Sequence, residues 1–216
     1  MSWKNVLSRN GLLYAILDKG IIEQKQLDMF SLAERLLDYG VDILQFRFKD
    51  LSDNLALHLA KRLSKIVYNR EAIFLVNDRV DIAYLSGANG VHLGRDDIPP
   101  GEARRILGKK RIIGKTIHSL EEFNKFKSEP VDYFSFGPVF KSSIKPYLPL
   151  WSKDSLKNTI RKVKKKYFVV GGISLRNVNS VVRMGIKNIA VCRGLILSKD
   201  LKKTVRSFKK CLEKVS

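Results

Sequence analysis

The sequence predicts an α/β fold of the (β/α)8 type, a single TIM-barrel domain over residues 1–216, on three observations. Eight short, almost wholly apolar segments recur along the chain, and longer amphipathic stretches separate them, as buried parallel strands and crossover helices do. The first apolar segment ends in Leu17-Asp18-Lys19, without the GxGxxG turn that opens a doubly wound dinucleotide fold.

In chain order the strands fall at 11–18 (GLLYAILD), 41–48 (VDILQFRF), 72–77 (AIFLVN), 90–93 (GVHL), 111–116 (RIIGKT), 131–136 (VDYFSF), 167–171 (YFVVG) and 187–192 (KNIAVC). Helical spacing places Leu27, Phe30, Leu32, Ala33, Leu36 and Leu37 on one face of 27–39. It does the same for Leu55, Leu59, Leu63, Ile66 and Val67 within 53–68. Ser52 stands as a cap before the second helix, and Ser119 with Glu122 three residues on reads as a capping box. Gly40, Gly87 and Gly185 punctuate helix ends. The least regular stretch is 140–152, which interrupts the sixth β/α unit.

Composition narrows the function classes. A globular core is expected from 44% hydrophobic residues spread over 216 positions. Cys192 and Cys211 are the only cysteines and form no CxxC, which argues against thiolate metal sites and a disulfide scaffold and suits a reducing, cytoplasmic setting. No apolar run approaches the roughly 18 residues of a membrane span, and the first residues lack a signal-peptide core. The formal net charge of +20 invites a polyanion partner. Much of it lies in the Lys/Arg runs of 157–166 and 202–214, without interleaved aromatics, so these read as solvated helix faces and nucleic-acid binding is not expected. Attraction of small anionic substrates is a further use for the charge.

Barrel enzymes place their chemistry where strands end and βα loops begin. Alternation along the second strand sends Gln45, Arg47 and Lys49 to one side, a donor cluster able to hold a diphosphate; the competing reading pairs these cations with acids at the mouth. Asn77-Asp78 closes the third strand, and Asp97 follows the fourth. Two carboxylates from neighbouring loops can share Mg2+, although Asp is also a common helix cap. Lys115 and Thr116 end the fifth strand, and Ser142 and Lys145 lie after the sixth. Gly171-Gly172 would let backbone N–H groups approach a phosphate, and Arg193 follows the eighth strand.

Together the strings QFRFK (45–49), NDRVDIA (77–83), GVHLGRDD (90–97), IIGKTIHSLEE (112–122), DYFSFGPVF (132–140) and VGGIS (170–174) resemble the thiamine phosphate synthase/thiazole tautomerase superfamily over roughly residues 11–197. The resemblance implies a Mg2+-dependent transferase that joins a pyrimidine-methyl diphosphate to a thiazole phosphate carboxylate and releases diphosphate. It would assign Gln45, Arg47, Lys49 and Asn77 to the pyrimidine diphosphate, Asp78 and Asp97 to the metal, and Thr116, Ser142 and Lys145 to the diphosphate. Gly171, Gly172 and Arg193 would meet the thiazole partner. Arg47, Lys49 and Lys145 would act on the departing charge.

Departures from the family pattern gather on the thiazole side. Ser142 and Ile144 stand where two threonines are usual, Arg193 replaces a serine, and Pro146 to Trp151 replace a Gly-rich continuation. These changes leave two alternatives open: a related barrel with altered thiazole-side specificity or tautomerase-like activity, and a non-catalytic barrel that binds phosphorylated ligands. Pro138 occupies the position of the tautomerase branch's histidine and argues against that chemistry. His92 and His118 are expected to hold structure by hydrogen bonding, and Trp3 and Trp151 to pack.

Overall fold

The computed structural model describes residues 3–68, 70–141 and 147–213. Helix α1 (Trp3–Ser8) leads into β1 (Leu13–Asp18), followed by α2 (Lys19–Gln24) and α3 (Met29–Asp38). Then come β2 (Ile43–Arg47), α4 (Asp53–Tyr68), β3 (Ile73–Asn77), α5 (Val80–Leu85), β4 (Gly90–Leu93) and α6 (Pro100–Leu107). The second half comprises β5 (Ile112–Ile117), α7 (Leu120–Phe126), β6 (Tyr133–Phe136), α8 (Lys153–Ile160) and β7 (Lys166–Val170). It ends with α9 (Val178–Val182), β8 (Ile189–Val191), α10 (Arg193–Ile196) and α11 (Leu201–Glu213). The eight strands pair in sequence order into a closed barrel, β8 returning in parallel to β1, so the predicted fold class and all eight strands are present.

Closure divides each strand by its period of two. Outward residues such as Leu13, Ala15, Leu17, Leu44 and Phe46 pack with the helices in one large cluster. Inward residues Tyr14, Ile43, Ile73, Leu75, Ile112, Tyr133, Phe168 and Ala190 form a second cluster, which Val6 and Leu7 of α1 join. Helix α1 thus closes one end of the barrel with apolar side chains, an element that the short N-terminal pattern did not signal.

The core face of α4 differs from the apolar stripe read in the sequence. Leu55 is 43% exposed, whereas Ala56, Ala60, Leu63 and Val67 are buried. Spacing alone weights leucine over alanine. A helix lying close against the strands accommodates small side chains there, and Leu59 and Ile66 flank the contact. Leu27 likewise precedes α3 and is exposed.

The capping box holds with a shift. Ser119 Oγ accepts from the Glu122 amide at 3.2 Å, but the Glu122 carboxylate accepts from His118 N–H at 2.6 Å while its other oxygen binds Arg95.

Gly114 sets the inward layer. Register places it between His92 of β4 and Tyr133 of β6, and a Cβ built there would lie 2.0 Å from Tyr133 Cζ. The Tyr133 ring therefore lies over a strand position that has no side chain. Gly114→Ala is expected to destabilise the protein by about 2–3 kcal/mol through overpacking of this layer. Urea unfolding checks this, and an unchanged midpoint would contradict it.

Candidate active site

The strand C-terminal ends surround a cavity of about 360 Å³ lined by residues from all eight strands or the loops that follow them. Gln45, Arg47, Lys49, Asn77, Asp78, Thr116, Gly171, Gly172 and Arg193 all line it, so residues up to 148 positions apart in the chain meet in one place. Asp97 stands just behind, through Gly94. Ser142, Ile144 and Lys145 lie outside the described residues. Lys115 takes the other face of β5. It is buried, its Nζ donates to the carbonyls of Gly94 and Arg95, and it sits over the Phe126 ring at 4.6 Å. Alternation explains the reversal, because Thr116 points inward and its neighbour must point out.

The β2 donors are set by their neighbours. Register aligns Arg47 with Asp18 on β1, and the guanidinium donates to the Asp18 carboxylate. Asp18 also accepts from Ile21 N–H at 3.1 Å, capping α2, so one buried carboxylate fixes both the helix start and the arginine. Lys49 Nζ lies 3.6 Å from Asp78. The competing reading from the sequence, cations paired with acids at the mouth, therefore describes Arg47 and Lys49, and both cations still line the cavity.

Asp78 is not a helix cap. Helix α5 is preceded by Arg79, and Asp78 itself has φ +64, a left-handed backbone that Asp and Asn adopt more readily than most residues. Its carboxyl turns toward Asp97: a Cβ built on Gly94 would lie 3.7 Å from Asp78 Oδ1 and 3.2 Å from Asp97 Oδ2. Burial first, and then the Asp97 carboxylate beside it, push the Asp78 carboxyl up to about 6. Asp97 is anchored by accepting from Gly94 N–H. Two convergent carboxylates with this mutual repulsion suit a hard divalent cation, which oxygen ligands favour. Among the described residues no cluster of three or more His, Cys, Asp or Glu side chains adds a further protein ligand.

On the opposite wall, Gly171 and Gly172 have φ +101 and +63. Cβ atoms there would meet Pro138 at 2.6 Å and the Lys141 carbonyl at 2.4 Å. Close packing of the β6 and β7 loops thus requires both glycines, in addition to any contact they offer a ligand. Arg193, exposed at the start of α10 on the cavity rim, has no ion pair or side-chain hydrogen bond among the described residues. Burial, reinforced by Asp18, pushes the neighbouring Cys192 thiol up to about 12, which keeps it protonated and unsuited to nucleophilic attack. Trp151 packs as expected, buried with its indole N–H on the Ile117 carbonyl at 3.3 Å.

Sequence reasoning singled out Gln45 and Thr116 and expected His92 to hold structure by hydrogen bonding, but it missed the two tyrosines that join them on the cavity floor. Tyr14, Gln45, Tyr133, His92 and Thr116 form a continuous hydrogen-bonded set there, and both nitrogens of His92 are engaged. The tyrosines looked like ordinary core aromatics, and no local signal marked them. Asp18 was visible at the end of β1, but its partner is distant in sequence.

A closed parallel barrel whose strand ends gather cations and a carboxylate pair around one cavity defines the class: a (β/α)8-barrel enzyme with an anion-accepting mouth. Residues 13–195 match the family described as thiamine monophosphate synthase, and the chain belongs to that family, as a transferase of thiamine biosynthesis. It is 35% identical over 204 residues to thiamine-phosphate synthase 1 of Aquifex aeolicus, covering 94% of each chain. It is 33% identical over 201 residues to the thiamine-phosphate synthase of Persephonella marina, covering 93% of this chain and 95% of that one. Among solved structures, thiamine phosphate pyrophosphorylase from Pyrococcus furiosus matches with TM-score 0.86 and 27% identity over 99% of each chain. No helix among the described residues is long and apolar enough to cross a membrane.

The raised Asp78 carboxyl carries a stability consequence. The folded state holds this proton more tightly than the unfolded chain, so ionisation costs stability above about pH 6, and the cost fades as pH falls toward the ordinary value of 3.8. Asp78→Asn removes the repulsion and keeps a residue tolerant of the left-handed backbone. In metal-free protein at pH 7.5 it is expected to add on the order of 1–2 kcal/mol and raise Tm by a few degrees. Little or no gain is expected near pH 4. Calorimetry at both values checks this; equal Tm values for the two proteins at pH 7.5 would contradict it.

Proposed function

We propose that the cavity couples a pyrimidine-methyl diphosphate with a thiazole phosphate carboxylate to give thiamine phosphate and diphosphate, with Mg2+ held by Asp78 and Asp97. The observation that carries this reading is the juxtaposition, within one cavity mouth, of the β2 donors and the Asp78–Asp97 pair. One side of the mouth is built for anions and the adjoining side for a cation, the two halves of a metal–diphosphate.

In the reaction the C–O bond between the pyrimidine methylene and the diphosphate breaks, and its electron pair leaves on the diphosphate. The thiazole nitrogen supplies the pair for the new C–N bond, and the thiazole carboxylate is lost as carbon dioxide, its bonding pair staying on the thiazole and taking up a proton from solvent. Bound Mg2+ would supply charge neutralisation at the diphosphate oxygens. Arg47, oriented by Asp18, and Lys49 stabilise the charge that grows as the bond breaks. Gln45 and Asn77 orient the pyrimidine diphosphate, and the Thr116 hydroxyl reaches the diphosphate. The family resemblance adds Ser142 and Lys145 to the same role. No side-chain nucleophile is required, in keeping with the protonated Cys192 thiol. Catalysis then rests on holding the two partners in line and balancing the leaving charge.

Gly171, Gly172 and Arg193 form the thiazole-side wall. The Arg193 guanidinium, without an ion pair among the described residues, favours a second reading, altered specificity at the thiazole end, because its fork can grip a phosphate or a carboxylate where a hydroxyl offers one hydrogen bond.

Diphosphate release from the two substrates together is expected with Mg2+ and not after chelation. Asp78→Ala should lower kcat/KM by about 100-fold or more, consistent with loss of several kcal/mol of charge stabilisation. A metal-independent rate, or binding of both substrates without turnover, would overturn the assignment. Arg193→Ala should raise KM for the thiazole phosphate by about 10- to 100-fold, the range for a charge-assisted hydrogen bond, and leave KM for the pyrimidine diphosphate within about two-fold. Steady-state kinetics with carboxylated and decarboxylated thiazole phosphates reads this directly, and equal KM values for the variant and the unaltered protein would remove Arg193 from the site.

A further inference from the structure

We infer that Tyr14, Tyr133 and His92 form a one-way hydrogen-bond chain that transmits the orientation of Gln45 to Thr116, fixing His92 as the Nε2–H tautomer and turning the Thr116 hydroxyl into the cavity as a donor. The inference deepens the proposed function, on which its choice of ligand rests.

The chain is continuous across five strands. Gln45 Nε2 donates to Tyr14 Oη at 2.8 Å, Tyr14 Oη lies 3.2 Å from Tyr133 Oη, and Tyr133 Oη lies 2.8 Å from His92 Nδ1. His92 Nε2 completes it, 2.7 Å from Thr116 Oγ1. Tyr14, Gln45, Tyr133 and His92 are buried, and Thr116 lines the cavity. Gly114 makes the central link possible, since it separates His92 from Tyr133 in the register and has no side chain to keep them apart.

Each interior member has one proton to give along the chain. A phenol that accepts from one neighbour gives its hydrogen to the next, and a neutral imidazole that accepts at Nδ1 donates at Nε2. Direction therefore propagates. With Gln45 donating, Tyr14 gives to Tyr133, Tyr133 gives to His92 Nδ1, and His92 Nε2–H gives to Thr116 Oγ1. The Thr116 hydrogen is then left for the cavity. A mixed pattern, with Tyr14 giving to a turned-over Gln45 and Tyr133 giving to His92, would set two phenol oxygens 3.2 Å apart with no hydrogen between them and lose that link in a buried site. Burial pushes both phenols above their ordinary titration range, so they stay protonated and able to donate.

With a neutral imidazole only two senses keep all four links, and they present opposite faces to a ligand. In the sense described, Gln45 shows its carbonyl and Thr116 shows its hydroxyl hydrogen. With the Gln45 amide turned over, the whole chain reverses: Gln45 shows its NH2 group and Thr116 shows only lone pairs. The pyrimidine of the proposed substrate, 4-amino-2-methyl-5-pyrimidinylmethyl diphosphate, offers an amino donor, and its diphosphate offers only acceptors. The first sense meets both at once; in the reversed sense Gln45 could reach only a ring nitrogen, and Thr116 would set lone pairs against the diphosphate. Tyr14, Tyr133 and His92 are thus positioning residues that act through Gln45 and Thr116.

Imidazole 15N chemical shifts in ligand-free, metal-free protein test the chain without any substrate, with the His92 signal assigned by its loss in His92→Asn. The expected result is a protonated Nε2 and an unprotonated Nδ1 in the unaltered protein. Tyr133→Phe removes the donor at Nδ1, and the ring should shift toward the Nδ1–H tautomer. Tyr14→Phe breaks the link to Gln45 and should give a mixture, which keeps the test open if Tyr133→Phe does not fold. A proton on Nδ1 in the unaltered protein, or the same single tautomer in all three proteins, would overturn the chain. Both variants should also raise KM for the pyrimidine diphosphate by about 10-fold through loss of one oriented hydrogen bond. A tautomer that responds while this KM does not would support the chain and overturn the aminopyrimidine assignment at Gln45.

Discussion

Side-chain alternation within a closed barrel is the constraint on which the rest of this structure depends. Once eight strands close, alternate residues must point at a common axis, where there is room for few large groups and no bulk solvent at the floor. Near one end the axis is filled by apolar and aromatic side chains sealed by α1. Toward the other, the same inward positions carry Gln45, Arg47 and Thr116, and polar groups there require partners. The hydrogen-bonded floor and the ion-paired mouth both answer that requirement, the first with neutral links and the second with opposed charges.

The electrostatics of the mouth follow from which groups find a partner. Asp18 satisfies Arg47, so that cation is held in place rather than left mobile. Asp78 and Asp97 repel each other, and Lys49 at 3.6 Å offsets only part of the repulsion. Arg193 has no acid partner among the described residues. An excess of positive charge on one wall and a crowded carboxylate pair on the other is a configuration that an anion and a cation binding together would relax. The formal net charge of +20 agrees in sign with anionic substrates and would draw them toward the barrel over longer distances.

Barrel closure also explains how loosely the individual loops are tied to the site they build. Lys115 points away from the cavity yet holds the Gly94 and Arg95 carbonyls, steadying the loop that carries Asp97. Gly171 and Gly172 read as phosphate contacts in isolation, but their positive φ and the closeness of the β6 loop give them a packing role as well. The same residue can therefore serve the scaffold and the ligand, and its identity alone does not separate the two.

The eight strands, their order and the residues at their ends were legible in the sequence because continuous apolar runs and their period of two are local properties, and a closed parallel barrel buries both faces of every strand. Gln45, Arg47 and Thr116 were legible for the same reason, since position in a strand decides which side chains face inward, and Lys49 and Asp78 were legible by their place just past the strand ends. Contacts between distant segments were not. The pairing of Asp18 with Arg47, the convergence of Asp78 on Asp97 and the set of Tyr14, Tyr133 and His92 exist only once closure brings β1 beside β8 and sets the register of every strand, and the alanine face of α4 depends on how closely that helix approaches the sheet. Sequence determined which groups are available at the mouth; tertiary structure decided which of them touch, because hydrogen bonds and ion pairs depend on separations of a few ångströms that no local pattern encodes.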